Sequence, residues 1–109
     1  MISNKVIQRN VPSDGKPVEY HILGLEDSEF FDSLVSFFKR YYDAEVTTNT
    51  DGISTRSWQL RSKGEYFMLE HHEDIGNWFY SCEPSGDSQL MAEIASDLEE
   101  RLRDAPYES

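Results

Sequence analysis

Between residues 44 and 86 the chain is cut repeatedly by tight-turn signals: Asp51-Gly52, Ser62-Lys63-Gly64, Asp74 to Asn77 with its Gly76, and Pro84-Ser85-Gly86. The segments between them run five to nine residues. They are rich in β-branched and aromatic residues, which favour strands. Ala44 to Thr50, Ile53 to Arg61, Glu65 to His72 and Trp78 to Cys82 therefore read as four consecutive strands. Strands joined by two- or three-residue turns must run antiparallel, because a parallel neighbour needs a long crossover. The centre of the chain is thus an antiparallel meander.

Amphipathic helices flank the meander. Asp27 or Ser28 can cap the first, with Glu29 and Asp32 near its positive end and Lys39 and Arg40 near its negative end. Phe30, Leu34, Phe38 and Tyr41 form a stripe at helical spacing, widened by Phe31, Val35, Phe37 and Tyr42. This predicts a helix from about 28 to about 43. A second helix opens near Asp87 or Ser88, carries the seam Leu90, Met91, Ile94, Ala95, Leu98 and Leu102, and stops before Pro106. Asp97–Arg101 and Glu99–Arg103 are opposite charges at i,i+4 on it.

Before the first helix, Val18 to Leu23 alternates as a strand, and Lys5 to Gln8 leaves room for another short one ahead of the turn-rich Pro12 to Pro17. The expected fold is α+β over a single domain, residues 1–109. Its order is β-α-β-β-β-β-α: an antiparallel meander sheet of four to five strands with two helices packed on one face. Both faces of the middle strands carry apolar residues. Phe67 and Leu69 oppose Tyr66 and Met68, and Trp78 and Tyr80 oppose Phe79. One set lies under the helices and the other faces outward. The alternation does not fix which.

Charge narrows the function. The chain carries a net charge of -11. Residues 1–63 hold nine acids and eight bases, whereas residues 64–109 hold twelve acids against Arg101 and Arg103 alone. Such an excess of carboxylates argues against a bare nucleic-acid binder, which needs Lys and Arg to neutralise phosphates, and against an anionic membrane surface as partner. No apolar run approaches the roughly 20 residues of a spanning helix. The N-terminal MISNKVIQRN lacks the apolar stretch of a secretory signal. The lone Cys82 cannot form an internal disulfide. A cytoplasmic protein is expected.

No catalytic or cofactor motif stands out. His71 and His72 between Glu70 and Glu73 suggest metal ligands, but neighbours on a strand point to opposite faces. Cys82 lacks the flanking elements of a nucleophile. The outer carboxylates of the last helix, including Glu93, Asp97 and Glu100, lack the burial that makes a general acid. Trp58, Tyr66, Trp78 and Tyr80 suit a protein interface better than base stacking, which needs a basic groove. No metal and no cofactor are therefore expected.

The span Glu65-Tyr66-Phe67-Met68-Leu69-Glu70-His71-His72-Glu73-Asp74-Ile75-Gly76-Asn77-Trp78-Phe79-Tyr80-Ser81, followed by the acidic helix from Asp87, resembles bacterial immunity proteins of the contact-dependent growth inhibition type. The resemblance implies a toxin domain, often a basic nuclease, as partner. The expectation is a non-enzymatic inhibitor whose acidic half docks on a basic protein through Glu70, Glu73, Asp74, Trp78, Glu93, Asp97 and Glu100, as monomer or homodimer. The alternative is an acidic secretion chaperone or other small dimeric adaptor.

Overall fold

The computed structural model describes residues 5–104; Pro106, the expected helix stop, lies outside them. Eight elements follow in order: β1 (Ile7–Asn10), β2 (Glu19–Ile22), α1 (Ser28–Tyr42), β3 (Glu45–Asp51), β4 (Thr55–Ser62), β5 (Glu65–His72), β6 (Gly76–Ser81) and α2 (Gln89–Asp104). The strands form one sheet in the order β1-β2-β6-β5-β4-β3, with every neighbouring pair antiparallel. The class is α+β, as expected, but the sheet has six strands rather than four to five. The addition is β1. It buries only Ile7 in its four residues, so its sequence carries almost no alternation.

Local chemistry sets the boundaries. The Asp27 carboxylate accepts from the Phe30 amide at 2.8 Å and caps α1, and Asp43 closes the helix in the left-handed region at φ 51°. Ser88 caps α2, its hydroxyl accepting from the Met91 amide at 3.2 Å. Lys63 and Gly64, at φ 53° and 79°, form the two-residue turn between β4 and β5. Positive φ at both positions matches the twist of the flanking strands. The β3–β4 loop is longer than its Asp51-Gly52 signal suggests. Ile53 stands out in solvent there, and the next strand begins at Thr55 rather than Ile53.

Antiparallel register sorts the side chains into two faces. Ile7, Ile22, Tyr20, Phe79, Leu69, Phe67, Leu60 and Trp58 share one face through successive pairings. They form a single core with Phe30, Phe31, Leu34, Val35 and Phe38 of α1 and Leu90, Met91, Ile94 and Leu98 of α2. Both helices therefore lie on this face. Phe38 wedges between Phe67 and Phe79, with ring centroids 5.1 and 5.9 Å away. Each such fully buried side chain stabilises the fold by about 1.5–3 kcal/mol. Tyr66, Met68, Glu70, Trp78 and Tyr80 take the other face, which neither α1 nor α2 covers. The Tyr66–Trp78–Tyr80 set is thus the outward one.

Candidate functional site: an acidic end and a polar row

One row of the sheet departs from the apolar rule. Ile22, Asn77, His71, Arg56 and Asp51 lie side by side across β2, β6, β5, β4 and β3, on the helix-covered face at the end where α1 begins. Four of the five are polar, and His71 and Asn77 are buried. Burial demands partners. Asn77 donates both Nδ2 protons, to the carbonyls of Leu25 and Asp27 at 2.9 and 3.1 Å. Its Oδ1 lies 3.0 Å from His71 Nδ1. Arg56 donates to Asp51, Asp32 and both oxygens of Ser28 at 2.9 to 3.2 Å, and its guanidinium lies 4.2 Å from the Phe31 ring centroid. The Trp58 indole N–H and the Arg56 guanidinium hold the Asp51 carboxyl below the usual carboxylate range. The row thus ties the end of the sheet to the start of α1.

These ties gather three loops. The Glu73 amide donates to Ser54 O at 3.0 Å, joining the β5–β6 turn to the β3–β4 loop. Glu26 packs so closely on Gly76 that a Cβ there would meet its Cγ at 3.1 Å. The resulting end of the molecule carries Glu26, Asp27, Glu29, Asp32, Asp51, Glu73 and Asp74. Arg56 is the only lysine or arginine in the same segments. Two apolar side chains protrude among the acids. Ile53 is fully exposed and Ile75 is 53% exposed. Between the loops lies a cleft of about 350 Å³ lined by Ser28, Asp51, Ile53, Thr55, Arg56, His71 and Glu73, among others.

The expected contact residues fall on three surfaces. Glu73 and Asp74 belong to the acidic end. Glu70 and Trp78 are cross-strand partners on the uncovered face. There Glu70 accepts from the Ser57 hydroxyl at 2.8 Å and the Tyr80 hydroxyl at 3.0 Å, and Trp78 stacks on His21 with centroids 5.3 Å apart. Burial, with Glu70 beside it, pushes the Tyr80 hydroxyl well above its ordinary range. Glu93, Asp97 and Glu100 sit on α2, on the other side of the sheet. Asp97 accepts from the Tyr42 hydroxyl at 2.8 Å and from Arg101 at 2.7 Å, so it joins the two helices.

The acids of the C-terminal half do not make one surface. Besides Glu70 and Asp97, Glu65 accepts from Ser81 and Ser88, and Asp87 accepts from Arg9 and Tyr20. Glu99 accepts from the Val6 and Ile7 amides and from Arg103. The coherent acidic end is built largely from the half whose charges nearly balance. Counting along the chain missed Glu26, Asp27, Glu29, Asp32 and Asp51, together with the row Asn77, His71 and Arg56. A signal was present in the lack of bases from Gly24 to Phe38 beside the exposed turn acids. His71 and His72 do take opposite faces, and burial pushes the Cys82 thiol up. Among the described residues no helix is long and apolar enough to cross a membrane. No protein-family model, no curated protein and no solved structure matches the chain.

Proposed function

We propose that the chain is a non-enzymatic inhibitor that acts in the bacterial cytoplasm and needs no cofactor. It docks on a basic protein, a cognate toxin domain of the kind immunity proteins neutralise, and blocks it. One observation carries the reading: Ile53 and Ile75 protrude from an end of the molecule that holds seven carboxylates, on three converging loops, the first turns of α1 and the end of β3. Exposed aliphatic side chains ringed by like charges suit a partner that is apolar at its centre and positive at its rim. The carboxylates speed encounter and stand where phosphates would bind a nuclease, and the isoleucines slow release. A charge of -11 also opposes self-association through this end.

The test is a binding titration against the product of the adjacent open reading frame at several salt concentrations. Replacing Ile53→Ser, Glu73→Lys and Asp74→Lys together weakens binding about tenfold or more and flattens its salt dependence. Glu93→Lys with Glu100→Lys leaves it within about twofold. Full affinity in the triple variant overturns the reading.

The uncovered sheet face supports a second reading, the dimeric adaptor or secretion chaperone. Tyr66 is 41% exposed there beside half-buried Met68, Trp78 and Tyr80. Light scattering separates the two, because a stable dimer dissociated by Trp78→Lys favours the adaptor.

A further inference from the structure

We infer that the cleft beside Ile53 receives a cationic N–H donor, a lysine or arginine side chain of the docked partner, with His71 Nε2 and the Glu73 carboxylate as acceptors. This rests on the docking reading above. His71 is only 6% exposed, yet it lines the cleft. Asn77 donates both amide protons to backbone carbonyls, so its Oδ1 must accept from His71 Nδ1. Neutral His71 therefore carries its proton on Nδ1 and presents Nε2 as an acceptor. Nε2 has no hydrogen-bond partner among the described residues. Trp78 Nε1 is the only enclosed side-chain nitrogen or oxygen there that lacks one. Nε2 is thus reached from open space, and the cleft is the space His71 borders.

The charges around the cleft select the ligand. Arg56 lines it, but its charge is answered by Asp32 and Asp51, and its Nη1 donates to Ser28. The Glu73 carboxylate has no ion-pair partner among the described residues and adds a negative charge at the rim. An anion entering here would meet the unanswered charge of Glu73. A cation with N–H groups would find an imidazole acceptor, a carboxylate and the hydroxyls of Ser28 and Thr55. The Ile53 side chain at the mouth suits the aliphatic stem of lysine or arginine.

The test uses the full chain, labelled with ¹⁵N, in separate titrations with butylammonium, methylguanidinium, tetramethylammonium and inorganic phosphate. Saturable shifts of the Ser54, Thr55 and Glu73 amides and of His71 Nε2 with either N–H cation support the site. The stronger of the two names the side chain. Equal shifts with tetramethylammonium, which has no N–H, or stronger shifts with phosphate overturn it, as does a silent cleft. Glu73→Gln, a surface change, weakens the probe shifts about fivefold if the site is real, and unchanged shifts overturn it. If the probes bind but Glu73→Gln leaves partner affinity intact, the inference fails while docking through Ile53 stands. If no basic partner binds, the docking reading fails and the occupant proposed here falls with it.

Discussion

His71 and Asn77 face each other across β5 and β6, Nδ1 to Oδ1 at 3.0 Å, and Asn77 is in turn bonded to the loop that leads into α1. One amide therefore fixes a histidine tautomer and the start of a helix. Asn77→Leu strands the Leu25 and Asp27 carbonyls and the imidazole N–H. We expect a loss of about 2–4 kcal/mol of stability, measured by urea unfolding. Asn77→Asp also fails to restore the wild type, since a carboxylate offers no N–H to the two carbonyls.

Tyr42 and Asp97 join α1 to α2. Burial and the Asp97 carboxylate push the Tyr42 hydroxyl above its ordinary range. A double-mutant cycle of Tyr42→Phe and Asp97→Asn should report a coupling of about 1–2 kcal/mol. Additive effects would place the link elsewhere.

Two carboxylates hold the β1–β2 hairpin, Glu99 against α2 and Asp87 against the turn that leads into it. Burial opposes ionisation of Glu99, but the Ile7 and Val6 amides and Arg103 outweigh it and hold its carboxyl below the usual range. Asp87 is held low in the same sense, where Arg9 and the Tyr20 hydroxyl overcome burial. A depressed native pKa stabilises the fold above the unfolded-state value. That stabilisation is lost as pH falls through the native value. Urea midpoints should therefore drop as pH falls through and below the ordinary carboxylate range. Glu99→Gln should lower the neutral-pH midpoint and make the acid decline shallower.

The β4–β5 turn offers a gain. Lys63 holds φ 53°, which costs a lysine more than an asparagine. Lys63→Asn should stabilise the protein by about 0.5 kcal/mol, and Gly64→Ala should cost about 1 kcal/mol. Thermal unfolding of the two variants checks both.

Much of the fold is legible in the residues. The strand from Glu65 to His72 begins and ends where alternation places it, and the first helix departs from its expected bounds by one residue. Turn chemistry and periodicity are local, so a sequence displays them directly. β1 was faint because four residues with one buried side chain have no period to read. The acidic end was hidden for another reason. Its members come from three loops, the first turns of α1 and the end of β3, which only the register of the strands brings together, whereas a tally by halves measures proximity along the chain. The polar row is the extreme case, with Asp51, Arg56, His71 and Asn77 each supplied by a different strand. Asp97 reads in the sequence as a surface acid paired only with Arg101, because nothing in its neighbourhood announces Tyr42, 55 residues away.

The margins of the sheet have a consequence of their own. Bare strand borders are templates on which copies of a chain can accrete into fibres. Here Glu99 occupies the Val6 and Ile7 amides beside β1, and a bulge between Val46 and Thr48 distorts β3 at the opposite border. Any recruit would have to evict a carboxylate at one side or straighten a kink at the other. The same glutamate that clasps the first strand thus makes that border a dead end for polymerisation.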